Sequence, residues 1–245
     1  MYLPTRASQG RARLRAAVLC GPSDATPHRE RRGGIPAVST EQQGTAMEMK
    51  TDVDAAYARA IEQAARVVAG IKPEQLAKST PCREWNTREL LNHLVGSNLM
   101  MAAVGSGKSM GEGMSGTDTV AAMGDQVGDD PVGAYASASA SALEAFRAPG
   151  ALEKLWKLPF GEMPGAVALN VHLMETLAHT WDLAKCTDQL DKLDPALADA
   201  AEPIARGIVQ PEFRNEKGDP FGAEVTVPAS AAGYDRFVAF LGRTP

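Results

Sequence analysis

Among side chains that bind metals or move protons, the histidines of this chain are scarce: 4 in 245 residues, namely His28, His93, His172 and His179. Glu175 and His179 are four residues apart. On a helix they project from one face a turn apart, the arrangement with which two side chains grip one ion. His93 lies in Leu90-Leu91-Asn92-His93-Leu94-Val95, whose apolar neighbours turn it toward the interior of a helical bundle. An ionised glutamate buried beside two imidazoles is very costly on its own, and a divalent cation relieves that cost. The sharp reading is therefore a metal site of His93, Glu175 and His179. Taken singly, these residues also fit plainer roles: a hydrogen-bonded core histidine for His93, a surface pair for Glu175 and His179. His172, three residues before Glu175, shares its face as a spare ligand or as pocket lining. Asp182, three residues after His179, is placed to orient that imidazole.

Helices have to position these groups. From Asp52, the residues Ala56, Ala60, Ile61, Ala64, Val67 and Val68 recur at the spacing of one apolar face, and Gly70 and Pro73 end the pattern. Asn86-Thr87-Arg88-Glu89 reads as a capping box opening a second helix to about Val104, the one that carries His93. Gly105 to Gly116 reads as a flexible crossover, and Pro131 opens an Ala/Ser-rich helix ending before Pro149. Leu152 to Met163 is irregular, and a long helix from near Pro164 carries Glu175 and His179. Asp194-Pro195 starts a short helix toward Val209, and Ala229 to Leu241 a closing one. Alternating strand patterns are almost lacking, so the expected fold is all-α, a four-helix bundle with appended C-terminal helices.

Residues 1–46 differ from this. They hold seven arginines against Asp24, Glu30 and Glu41, a net of +4, which leaves −9 of the total −5 for the rest. Lacking Phe, Trp and any apolar period, they are expected to be a disordered leader. An upstream start codon is expected to account for it, with Met47 or Met49 the working initiator, rather than a secretion signal at Leu14 to Cys20. Residues 47–245 then form the helical domain.

Composition excludes several functions. With 44% hydrophobic residues and no apolar run near the ~20 residues of a membrane span, the chain is a globular protein and not a membrane one. A net charge of −5 argues against nucleic-acid binding. Cys20, Cys82 and Cys186 form no C-x-x-C, which argues against a disulfide framework and fits a reducing cytoplasm. Ala102 to Ser109 (AAVGSGKS) satisfies a relaxed phosphate-loop pattern but continues a helix instead of following a strand. Met100, Met101, Met110, Met114 and Met123 gather around the crossover and are expected to fill gaps there. Trp85 and Trp181 read as packing anchors. Cys82 reads as structural, with Arg83 its one basic neighbour.

Three stretches carry a resemblance. Thr80 to Val95 (TPCREWNTRELLNHLV) resembles the opening motif of the mycothiol-dependent maleylpyruvate isomerase metal-binding domain of the DinB-like superfamily. Glu175 to Ala184 (ETLAHTWDLA) resembles its second motif, and Phe240 to Pro245 (FLGRTP) is similar to the ending of an uncharacterised actinobacterial branch. The resemblance covers about Asp52 to Pro245 and implies a DinB-like four-helix bundle. It implies one divalent metal, usually zinc, on His93, Glu175 and His179, and mycothiol or another small thiol as cosubstrate. Three protein ligands leave a tetrahedral zinc open to water or thiolate. In the family's isomerase a further C-terminal domain contributes to the active site, for which the 36 residues after Val209 leave no room. The expectation is thus a thiol-dependent transferase or isomerase other than the maleylpyruvate enzyme, a monomer or homodimer acting on a small molecule. Arg214, Arg236 and Arg243 could bind an anionic substrate. A metal-assisted hydrolase, or a non-catalytic metal-dependent binding or stress-response protein, stays open as the alternative.

Overall fold

The computed structural model describes residues 40–83, 85–110, 116–214 and 221–245, with the backbone alone for 40–52, 116 and 117. The leader up to residue 39, with His28, Cys20 and the signal-like stretch, lies outside the described residues, as do Glu84 and Met114.

Four helices form a ring. They are α1 (Thr40–Ala69), α2 (Thr87–Gly105), α4 (Pro131–Arg147) and α5 (Gly165–Cys186), with α1 against α4 and α5 and α2 against the same two. The first helix starts twelve residues before Asp52, so residues 40–46 of the expected leader are helical. Glu41, Gln42, Gln43, Ala46, Met47, Glu48, Met49 and Lys50 are all good helix formers, although they show no apolar period. On its buried face Tyr57, Ala60, Gln63, Ala64, Val67 and Val68 keep the expected spacing. The capping box of α2 is complete: Asn86 Oδ1 accepts from Glu89 N–H at 3.0 Å, and Glu89 Oε2 from Asn86 N–H at 2.8 Å. At the start of α4, Asp130 accepts from Gly133 N–H at 2.9 Å.

Two elements depart from the reading of the sequence. The crossover contains a short helix α3 (Gly116–Ala122), whose Val120 sits on Gly96 of α2, where a Cβ would come within 2.4 Å. Leu152 to Met163 contains an antiparallel hairpin, β1 (Leu155–Leu158) and β2 (Gly161–Pro164), with Trp156 opposite Met163. Four-residue strands are too short to give a sustained alternation. The hairpin is held by Trp156, which stacks on Phe146 of α4 at 4.5 Å between ring centroids and donates to Ala151 O at 2.8 Å. Met100 and Met101 lie in the core rather than at the crossover. After α5, α6 (Pro195–Ile208) and α7 (Gly233–Phe240) pair with each other, and α6 also packs on α1 and α5. None of these helices is long and apolar enough to cross a membrane. The fold is thus all-α with one small hairpin, as expected of a DinB-like bundle.

Gly165, at the start of α5, is where the hairpin and the helix meet. A Cβ there would lie 2.0 Å from Ala151 O and 2.6 Å from Trp156 Nε1, the two partners of the bond that fixes the indole. Gly165→Ala should therefore destabilise by about 1–3 kcal/mol or more in urea unfolding. A change below about 0.5 kcal/mol would show that this contact is slack.

Candidate metal centre

Packing of α2 beside α5 brings His93 to the pair of residues on the neighbouring helix. Nε2 of His93 is 2.7 Å from Oε1 of Glu175, and the imidazoles of His93 and His179 meet edge to face with centroids 5.0 Å apart. Ligand atoms of His93, Glu175 and His179 all lie within 4.8 Å of one another. The three residues that the sequence singled out are therefore brought together.

Glu175 is braced from behind. His172, fully buried one turn earlier, points Nδ1 at Glu175 Oε2 at 3.3 Å and Nε2 at Asn98 Oδ1 at 3.2 Å. The amide of Asn98 is fixed in this sense because its Nδ2 donates to Leu94 O at 2.7 Å, and Tyr57 O–H reaches the same Oδ1 at 3.3 Å. His172 thus serves as a brace rather than a ligand, between the carboxylate and a chain of groups reaching α1. Burial raises the Glu175 pKa, but the hydrogen bonds from His172 and His93 outweigh it and hold the carboxyl well below its usual range.

His179 is braced as well. Its Nδ1 is 3.1 Å from Oδ2 of Asp182, the arrangement expected from their spacing. Asp182 has no exposed surface and is gripped by Arg243, whose Nε donates to Oδ1 at 2.9 Å and whose terminal nitrogen donates to Oδ2 at 2.8 Å. Burial would raise the Asp182 pKa, yet the guanidinium beside it, with the bonds from His179 and Arg243, holds it well below the carboxylate range. Cys82 completes this side: its S–H donates to Asp182 Oδ2 at 3.2 Å, and Sγ lies 3.7 Å from Arg243. Burial first, and then the Asp182 charge, push the Cys82 thiol strongly upward, so it keeps its proton. Arg243, not Arg83, is its basic neighbour.

Cys82, His179 and Asp182 also bring ligand atoms within 4.8 Å of one another, but the guanidinium of Arg243 already supplies the cation there. The His93–Glu175–His179 group differs. Among the described residues no Lys or Arg makes a hydrogen bond or ion pair with Glu175, and Nδ1 of His93 is buried without a partner. A donor set of two imidazoles and one carboxylate, with no guanidinium or ammonium paired to the carboxylate among the described residues, fits a divalent ion. The group is not sealed, since the side chains of His93, Glu175 and His179 are 8%, 20% and 13% exposed. Trp85 covers His93 at 4.6 Å between ring centroids. An open cavity of about 390 Å³ reaches His93 between Trp85, Arg88, Asn92 and Val120.

Several residues were placed differently by the sequence. Arg214 donates to the carbonyls of Gly222 and Phe240, Arg236 pairs with Asp199 and Glu202, and Arg243 is committed to Asp182. The three arginines thus serve inside the fold instead of waiting for an anion. Asn98 and Tyr57 gave no signal, being ordinary core positions of amphipathic helices. The Gly-Lys-Ser stretch begins at the C-terminal end of α2, as its helical context indicated.

The family model described as mycothiol maleylpyruvate isomerase N-terminal domain matches residues 57–184. Uncharacterized proteins from two strains of Mycobacterium tuberculosis are 36% identical over 189 residues, covering 77% of this chain and 96% of theirs. No solved structure matches the chain significantly.

The centre's titrating groups set a pH dependence. Glu175 and Asp182 have lowered folded values, so the stability they contribute is present above the ordinary carboxylate value of about 4 and is lost as pH falls below it. Burial lowers the His179 value, so its contribution is present above the ordinary imidazole value of about 6.5 and declines as pH falls below that. The Tm of metal-free protein should fall from about pH 6.5 downward and more steeply below about pH 4. His179→Gln should flatten the upper part. A Tm that rises between pH 7 and 5 would contradict these assignments.

Proposed function

This chain belongs to the mycothiol maleylpyruvate isomerase N-terminal domain family, and from that membership we propose that His93, Glu175 and His179 bind one divalent metal ion, zinc first. The centre then serves a thiol-dependent transfer or isomerisation on a small electrophile, with mycothiol as the thiol that the family name suggests. The observation that carries this reading is a glutamate 2.7 Å from one imidazole and grouped with a second, with no arginine or lysine bound to it among the described residues.

When bound, a divalent ion would supply Lewis acidity, lowering the pKa of a thiol or water at the open position. The protein's own residues do the rest. Glu175 contributes the negative charge, and His172 and Asn98 hold it in place. Asp182 takes the Nδ1 side of His179, leaving the opposite edge of that ring for the centre. Trp85 lies over one face of His93 and holds the ring in place. The cavity beside Arg88 and Asn92 is the route by which a small molecule reaches His93. Cys82 stays out of the chemistry because its thiol is protonated and turned to Asp182. The free thiols of Cys82 and Cys186 suit the reducing cytoplasm in which a small-thiol enzyme works.

Metal analysis of the purified chain should find one zinc, nickel, iron or manganese ion per chain after reconstitution. His93→Ala, Glu175→Gln and His179→Ala should each lose it. With mycothiol and a panel of epoxides, halogenated aromatics and maleylpyruvate, the metal-loaded protein should consume thiol in a His179-dependent way. No metal in the wild type would sink the proposal. Tight thiol binding without turnover would move the assignment to a metal-dependent binding protein.

A further inference from the structure

We propose that Arg243 is a positioning residue of the His93–Glu175–His179 centre, acting through Asp182 to fix which nitrogen of His179 faces that centre. This rests on the metal reading above and deepens it. The physical chain starts in the last residues. After α7, Leu241 keeps the chain in a last turn and Gly242 takes φ +88°, a left-handed conformation that side chains rarely adopt. Gly242 N–H returns to Ala239 O and Arg243 N–H to Val238 O, both at 3.0 Å, the bond pattern that closes a helix at a left-handed glycine. The same glycine abuts Gly222, where a Cβ would come within 2.6 Å. Two constraints thus fix the turn, and the turn delivers Arg243 back to the bundle. Lys185 Nζ donates to Thr244 O at 2.9 Å and pins the tail to α5 just beyond.

Arg243 then spends its donors inside. Both oxygens of Asp182 receive guanidinium hydrogens, and Cys82 S–H adds a third donor to Oδ2, so the carboxylate cannot turn. Oδ2 is also the atom that Nδ1 of His179 meets at 3.1 Å. A carboxylate held in this way accepts the Nδ1 hydrogen and leaves Nε2 bare. A ring flipped or protonated at Nε2 would offer the centre no lone pair there. The 13% exposure of the Arg243 side chain and its two-pronged grip on Asp182 distinguish this role from that of an anion receptor.

The test uses the full chain with histidine rings labelled by nitrogen-15, free of metal, at neutral pH. His179 is identified by its loss in His179→Gln. Wild type should show a single His179 tautomer with Nδ1 protonated, and Arg243→Ala should mix the two. Zinc affinity, read by chelator competition, should fall about 10–100-fold in Arg243→Ala and in Asp182→Asn. In the Asp182→Asn background, adding Arg243→Ala should cost little more, because both act through one bond. An unchanged tautomer in Arg243→Ala, or losses that multiply in the double variant, would overturn the proposal. If Arg243→Ala does not fold, Arg243→Lys takes its place, keeping the charge without the two-pronged grip. It should show a mixed tautomer and an intermediate loss, and wild-type behaviour in both would overturn the proposal. Should wild type bind no metal, the metal reading alone fails, and the tautomer spectra still decide the role of Arg243.

Discussion

Glu175 carries a negative charge into the interface of two packed helices, and the neighbourhood of the candidate centre is arranged around the cost of doing so. A carboxylate in that position must be paired and hydrogen-bonded. His93 meets one oxygen from α2, and His172 meets the other from its own helix. The brace continues through Asn98, whose orientation is fixed by a carbonyl of α2, to the phenol of Tyr57 on α1. Three of the four bundle helices therefore contribute to the placement of one carboxylate. The hydrophobic packing holds the helices together, while this polar chain fixes where the donor atoms stand.

Asp182, two turns further along α5, solves the same problem in the opposite way. It too is buried, but a guanidinium from the chain's last residues neutralises it. The two carboxylates flank His179, one gripped by a guanidinium and the other met, among the described residues, only by imidazoles. That asymmetry is the physical reason for proposing the ion at Glu175 rather than on the Cys82 side. It also explains the inert thiol: Cys82 donates its proton to a carboxylate already committed to Arg243, an environment that suppresses the thiolate.

Local rules made much of this legible in the sequence. Asn86 and Glu89 mark the start of α2, a helix of about five turns, and this start sets the face on which His93 lies. The four-residue spacing of Glu175 and His179 fixes their common face without knowledge of the fold. Asp182 could be placed beside His179 on the same ground. What spacing cannot convey is contact between distant segments. Arg243 reaches Asp182 across 61 residues, and the sequence marks it only as part of a tail motif and as one of three arginines open to an anion, with nothing that points to Asp182. Asn98 and Tyr57 belong to different helices, and nothing in either helix alone indicates that both turn toward one imidazole. The hairpin at Leu155–Pro164 escaped notice because its pairing depends on Trp156 finding Phe146, a tertiary contact rather than a strand propensity.

Two imidazoles and a carboxylate would form one open metal centre, with the neighbouring cysteine outside it. X-ray absorption at the zinc edge of the reconstituted full chain addresses this directly, because sulfur and nitrogen or oxygen ligands differ in distance. A shell of nitrogen and oxygen atoms only is expected, at about 2.0–2.2 Å, with the scattering pattern of two imidazoles. A sulfur ligand at about 2.3 Å would place the ion on the Cys82 side and contradict that expectation.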